Sequence, residues 1–311
     1  MRICVTGACG YVGSVLVPKL LAVGHLVRGI DIMWFGNHLQ PHKNLKVSQG
    51  DIREDFPIGE ADAVIHLAAV ANDPTGDLDP KLTWEVNALA TAQLAAKCVK
   101  EGVKQFIYAS SGSVYGVSDL PQVTEDAPLV PLSEYNKTKM VAERVLLSYA
   151  DSMCVQILRP ATVCGFSPRM RLDVMVNSFV MQALTHKYIV FNGGEQYRPN
   201  IHIDDMTYLY LWLLNRPDLT GIFNAGFENL QIKEIARMVM ERVVFCKIHA
   251  RPSNDPRSYR INSNKLLDAG FTQTLTVSDA IDEMIARYAA GQLRDEPQWY
   301  NLKTMKLRKA A

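Results

Sequence analysis

The sequence predicts an α/β chain organised around a doubly wound parallel sheet, with a smaller α/β lobe completed by its second half. Three observations predict it. Short apolar runs alternate with helical stretches through the first half, glycines at three-residue spacing follow the first run, and the second run ends in an acidic residue.

Arg2–Thr6 is a continuous apolar run of the kind that a parallel strand, covered on both faces, requires. Gly7, Gly10 and Gly13 follow, and apolar periodicity then continues to Leu21 as a helix. Such a turn lets the backbone approach a pyrophosphate, whose charge meets the unpaired N–H groups of the helix N-terminus. The spacing is G-x-x-G-x-x-G rather than G-x-G-x-x-G. The next strand, residues 25–30, ends in Asp31. A carboxylate there accepts hydrogen bonds from both ribose hydroxyls of NAD and repels a 2′-phosphate, so the expected cofactor is NAD rather than NADP.

Val47 then leads into GDIR (50–53), residues 61–69 read as a buried strand running into Ala68 and Ala69, and 82–99 read as one long helix. Residues 105–109 form a strand that delivers Ser110 and Ser111. Ligands of such sheets bind off the carboxyl ends of the strands, which puts Gly7, Asp31, Asp51, Ala68 and Ser111 on one crevice. His66 reads as a packed, hydrogen-bonded residue rather than a ligand.

A chemical constellation follows. Tyr135 and Lys139 lie four residues apart on a predicted helix and project from one face, so the ammonium is expected to favour the ionised phenol and make it a base. Ser111, arriving from a strand end, can hold the same substrate oxygen.

Composition excludes other classes. A chain of 311 residues exceeds the roughly 250–300 at which single cores stop growing, so two lobes are expected. Its 33 basic and 32 acidic residues show no sequence-wide attraction to nucleic acid, and the basic tail 303–311 reads as a frayed, solvated end. No apolar stretch reaches the roughly 18 residues of a membrane span, and the N-terminus leads straight into a strand rather than a signal peptide. Cys4, Cys9, Cys98, Cys154, Cys164 and Cys246 form no C-x-x-C pair or metal-ligand spacing, and they read as reduced thiols of a cytoplasmic protein. Cys9, in the glycine turn, and Cys164, in a pocket loop, are the two with a place near a site.

The set TGACGYVG (6–13), Asp31, GDIR, HLAA (66–69), SSGSVYG (110–116), TEDAPLVPLSEYNKTK (124–139), LRP (158–160) and RPNIHIDD (198–205) resembles the extended short-chain dehydrogenase/reductases. It is most similar to their NAD-dependent nucleotide-sugar epimerase/dehydratase group, over residues 1 to about 275. The resemblance implies a Rossmann domain of residues 1–160 and roughly 202–224, and a nucleotide-sugar lobe of 161–201 and 225–311. It implies cofactor contacts from Gly7, Gly10, Tyr11, Val12, Gly13, Asp31, Asp51, Ile52, Leu67, Ala68, Ala69, Asn87, Ser110, Tyr135, Lys139, Pro160 and Val163. On this resemblance Tyr135 removes a proton from a sugar hydroxyl, usually at C4, while hydride passes to the nicotinamide. Lys139 lowers the phenol's pKa, and Ser111 orients the sugar oxygen. Substrate contacts fall to Ser111, Ser113, Thr162, Asn177 and, on the diphosphate, Arg198 and Arg257. A homodimer through 82–99 and 133–150 is also implied.

Two departures shape the expected reaction. Related dehydratases and decarboxylating enzymes carry acidic residues after the catalytic Ser/Thr, where this chain has Gly112 and Ser113, so elimination is not expected, with no replacement acid visible nearby. Ala161 and Thr162 stand where many 4-epimerases have Phe-Asn, which leaves the sugar open. The leading expectation is a 4-epimerase or 4-dehydrogenase acting on a nucleotide sugar. A 4-keto-sugar reductase and a catalytically silent NAD-binding sensor are the alternatives.

Overall fold

The apolar runs of the first half become strands covered on both faces. In a computed structural model, which describes residues 1–118, 120–254 and 258–310, β1 (Arg2–Thr6) leads through the glycine turn to α1 (Gly13–Ala22). Then come β2 (Leu26–Asp31), β3 (Leu45–Gln49), β4 (Ala63–His66), α2 (Asp73–Leu78), α3 (Pro80–Trp84), α4 (Ala90–Lys100), β5 (Gln105–Ala109), α5 (Glu134–Leu147) and β6 (Cys154–Pro160). β7 (Thr162–Cys164), α6 (Met175–His186), β8 (Tyr188–Asn192), β9 (Tyr197–His202), α7 (Ile203–Leu214), β10 (Gly221–Ala225), β11 (Glu228–Gln231), α8 (Ile232–Met240) and β12 (Lys247–Arg251) follow. α9 (Asn264–Asp268), α10 (Val277–Ala289) and α11 (Asn301–Ala310) complete the described elements.

Seven strands pair in parallel in the order β10-β6-β5-β4-β1-β2-β3. The order reverses between β1 and β4, and that switch point opens a crevice beyond the carboxyl ends of the strands. Strand alternation divides the core. Ile3 and Val5 face Leu16 and Leu20 of α1 and Leu209 and Leu213 of α7, whereas Cys4, Val64 and Phe106 face Leu94 of α4 and Leu146 of α5. His66 bridges Thr6 (2.6 Å) and Thr91 (2.9 Å), and burial lowers its pKa to about 3, so it is a neutral core residue.

The second half builds two small sheets, β11-β9-β7 and β12-β8, against α6, α8 and α10. Val180, Ile189, Ile235, Val239 and Ile281 form their shared core. Capping boxes at Gln231/Glu234 and Thr276/Asp279 satisfy the first N–H groups of α8 and α10. Among the described residues no helix is long and apolar enough to cross a membrane.

Two expectations fail here. Residues 82–99 are not one helix: a π-helical turn, Glu85–Leu89, separates α3 from α4. Inside it, the buried Asn87 accepts from Val70 N (2.9 Å) and donates to Val70 O (3.0 Å), which clips the loop after β4 to the helix. The tail is not frayed either. α11 buries Met305 and Asn301, while Arg308 donates to Trp34 O (3.1 Å) and Lys309 to Leu78 O (2.7 Å). Its few apolar residues hid an anchorage made mainly by polar groups.

One buried ion pair ties α5 to the sheet. Arg159, near the end of β6, donates from Nε (3.0 Å) and Nη2 (2.7 Å) to the two carboxylate oxygens of Glu143, at side-chain exposures of 2% and 1%. Its Nη1 continues to the Tyr115 hydroxyl (2.8 Å), which in turn donates to Asn224 of β10 (2.7 Å). Removing one charge from such a pair strands the other in a low dielectric. Glu143→Gln is therefore expected to destabilise the protein by about 3–5 kcal/mol, read from the shift of its urea unfolding transition.

Candidate active site

A cavity of about 410 Å³ lies off the carboxyl ends of the central strands. At one end the glycine turn is pressed against the exit of β4. A Cβ on Gly7, where φ is +72°, would stand 2.7 Å from Ala68 N, and one on Gly13 would stand 2.4 Å from Gly7 O. Neither position has room for a side chain. α1 starts directly from this turn, with Ser14 N bonded to Gly10 O (2.9 Å), so the positive end of the helix dipole borders the place where a pyrophosphate's charge is favoured. Asp31 lines the cavity at the end of β2, its oxygens accepting from Cys9 N (2.9 Å) and Met33 N (2.7 Å), beside the flat side chains of Trp34 and Phe35. A backbone cradle, a ribose-sized carboxylate site and an aromatic wall fit an adenine dinucleotide.

The other end holds the constellation. Ser111 leaves β5 and caps a short 3₁₀ turn, with its Oγ 2.7 Å from Ser113 Oγ, and Ser113 donates onward to Asn136 Oδ1. Lys139 is buried, donates to Ala109 O (2.7 Å), and lies over the rings of Tyr108 (4.7 Å) and Tyr135 (5.9 Å). The electrostatics differ from the expectation. Burial pushes the Tyr135 phenol up to about 12, with Ser111 and Arg171 pulling it down and Asp73 pushing it up. Lys139 is not the group that lowers it. Burial brings the ammonium itself down to about 7, and Glu143, one turn along α5, holds it from falling further.

Three residues near the chemistry carried no role in the sequence reading. Asp73 lines the cavity beside Tyr135 and accepts from Ser133 Oγ (2.8 Å), the N-cap of α5, so the expectation of no nearby acid is corrected. Arg171 lines the cavity and pairs with Asp173 (3.0 Å), which also accepts from Asn72 Nδ2 (3.2 Å) and Asn301 N (3.2 Å). Arg169 lines it too. For the two arginines the signal was present in CGFSPRMRLD (164–173), beside Asp173, but a loop has no period from which to place them, and nothing singled out Asp73 in ANDP (71–74).

The remaining candidates separate by position. Gly10, Tyr11, Val12, Asp51, Ile52, Leu67, Ala69, Ser110, Pro160 and Val163 line the same cavity, as do Ser113 and Thr162. Arg198 lines a neighbouring pocket of about 180 Å³ that shares Ser113, Thr162 and Tyr259 with the main one. Asn87 and Asn177 do not line either. Asn87 is spent on the Val70 clip, and Asn177 accepts from Gly165 N (3.0 Å) while donating to Arg171 O (2.9 Å) and the Tyr11 hydroxyl (3.0 Å). Arg257 lies outside the described residues. Burial pushes the Cys9 thiol up to about 12 and the Cys164 thiol higher, so both are un-ionised at neutral pH.

A parallel sheet with a dinucleotide crevice that ends in a serine, a tyrosine and a lysine defines an enzyme of the short-chain dehydrogenase/reductase type. The chain belongs to the NAD dependent epimerase/dehydratase family, which it matches over residues 3–226, and its cofactor is NAD. A UDP-glucose 4-epimerase of Lactobacillus helveticus is 26% identical over 295 residues, 85% of this chain and 89% of the relative. A UDP-glucuronic acid decarboxylase 1 of Xenopus tropicalis is 28% identical over 255 residues, 78% of this chain but 60% of the relative, so the chain spans about three fifths of that protein's length. MoeE5, solved in complex with UDP-glucuronic acid and NAD, superposes with a TM-score of 0.82 at 26% identity, covering 94% of this chain and 100% of that one.

Two outcomes follow from the geometry. Between the folded pKa of Lys139, about 7, and the unfolded value, about 10.4, the unfolded chain binds a proton that the folded chain does not. Burying the ammonium thus penalises folding fully below pH 7, and the penalty lifts as pH rises toward 10. Lys139→Met should flatten that rise, which is worth up to about 1.4 kcal/mol per pH unit, in urea titrations at pH 7 and pH 9. Gly76 of α2 packs on the catalytic helix, where a Cβ would stand 2.9 Å from the Tyr135 Cβ. Gly76→Val should displace the phenol and lower turnover on the order of 10²-fold, while quenching of tryptophan fluorescence by NAD is unchanged.

Proposed function

We propose that the chain oxidises C4 of a nucleoside-diphosphate sugar, as a 4-epimerase or 4-dehydrogenase, with Tyr135 as the base. The observation that carries this is the convergence of Ser111, Tyr135 and Lys139 at one end of a cavity whose other end, with the glycine turn and Asp31, fits a dinucleotide. NAD, when bound, supplies the oxidant and a positive ring near the phenol. Ser111 holds the C4 oxygen beside Tyr135, and the phenol takes its proton. Ser111 and Arg171 favour the phenolate that makes this possible. Lys139, with its pKa near ambient pH and its ammonium fixed on Ala109 O, is placed to relay the proton away. In an epimerase the 4-ketone is then returned to the alcohol from its opposite face.

The adjoining pocket with Arg198 suits the diphosphate, since guanidinium binds phosphate oxygens in pairs. Relatives and neighbours named for UDP-glucose and UDP-glucuronic acid support a UDP-sugar. A homodimer through 82–99 and 133–150 belongs to the same proposal.

One observation favours a second reading, elimination at C5/C6 or decarboxylation. Asp73 stands beside Tyr135 and can serve as the extra acid or base that such reactions need. Gly112, the position after Ser111, carries no side chain that could serve as one, and a side chain there would have to displace Ile261 Cδ1, 2.5 Å from its Cβ.

Purified protein incubated with UDP-, GDP-, dTDP- and CDP-sugars is expected to give a C4 epimer or a 4-ketone by NMR, and Tyr135→Phe to lower the rate by about 10²–10⁴-fold. A product that has lost water or CO₂, abolished by Asp73→Asn, would move the second reading ahead. No turnover across the panel with intact NAD bound would remove both. A protein that turns over only 4-keto sugars with added NADH would instead be a reductase.

A further inference from the structure

Arg169 is a buried cation that no carboxylate among the described residues meets in a hydrogen bond or ion pair. It is 2% exposed, and its Nε has no hydrogen-bond partner. Its contacts are a carbonyl, Met170 O (3.3 Å), an amide oxygen, Asn301 Oδ1 (2.6 Å), and the face of Phe35, 3.9 Å from the ring centroid. Burial and the neighbouring Arg171 pull its pKa down to about 9, against the weaker opposing pull of Asp173 and Asp31 at longer range. Buried charges are ordinarily paired, so this arrangement is unfavourable in the protein alone.

Its place says what would pair with it. Arg169 lines the dinucleotide cavity. Ser167, two residues before it, donates to Tyr11 O (2.8 Å), which docks the loop directly on the glycine turn. Phe35, beneath the guanidinium, follows Asp31 on the ribose side. The cation therefore lines the same wall as the ribose carboxylate, whose charge it feels, on a loop docked against the glycine turn.

We infer that Arg169 is a second anchor for the cofactor's diphosphate, supplied by the loop after β7, and that Asn301 of α11 positions it. A guanidinium fork complements phosphate oxygens, and the charge it lacks is the charge a diphosphate carries. The helix N-terminus and Arg169 then hold the diphosphate from two separate segments of the chain. Asn301 is a positioning residue: it touches Arg169 through its side chain and Asp173 through its backbone N–H.

Calorimetric titration of cofactor-free protein with ADP-ribose and with adenosine separates this role from packing. Arg169→Met should weaken ADP-ribose by about 10–100-fold, the range for hydrogen bonds to charged groups, and change adenosine by less than twofold. Its melting temperature should hold or rise, since an unpaired buried charge has gone, and Arg169→Lys should retain most of the ADP-ribose affinity. Asn301→Ala should show the same selective loss at smaller size. Equal losses for both ligands, or none for ADP-ribose, would overturn the inference. An Asn301→Ala protein with unchanged ADP-ribose affinity would overturn the part given to α11.

Discussion

The ion pair between Arg159 and Glu143 is the interaction on which the site's geometry depends. It joins the end of β6 to α5, the helix that carries Tyr135 and Lys139, and Ser110, from the segment that delivers Ser111, donates to the same carboxylate. Through Tyr115 and Asn224 it reaches β10, and Asn224 donates to Val123 O and Asn262 O. A desolvated pair tolerates little displacement, because its attraction offsets the cost of burial only in good geometry. α5, the serine loop, β10 and the segment at Asn262 are therefore tied to one another. Glu143 does a second thing from the same position, since its charge is what sustains a proton on Lys139.

The parallel sheet was legible because RICVT, AVIH and QFIYA are apolar on both faces, a pattern little else demands. Gly7, Asp31 and Ser111 were placed by topology alone, as strand ends of one sheet. The spacing of Tyr135 and Lys139 gave their contiguity on α5 but not their burial, and burial dominates both pKa values, so the expected charge relation was not found. Asp73, Arg169 and Arg171 were not placed because their position comes from long-range docking, not from local period. The same holds for Asn87, where a 3.6-residue periodicity over 82–99 conceals the additional residue of a π-helical turn.

The cavity is unusual in its charge. Lys139, Arg169 and Arg171 are cations set into a largely apolar wall, and Asp31 and Asp73 border the same space. In a low dielectric these charges act strongly on whatever enters, and both a dinucleotide and a sugar diphosphate bring negative charge. The protein by itself keeps Tyr135 protonated. Cationic charge gathered around the phenol would bring its pKa down, so its ionisation depends on what else occupies the cavity.

The docking of α11 bears on how the chain reaches this state. Arg308 contacts a residue 274 positions earlier and Lys309 one 231 positions earlier. Contacts of such separation close loops that cost entropy before anything is gained, and they form late. Strands and helices of the first half can find one another while a nascent chain is still emerging. The wall containing Arg169 is completed only when residues 301–310 dock, so this part of the cavity depends on the longest-range contacts of the fold rather than on the sheet that frames the rest of it.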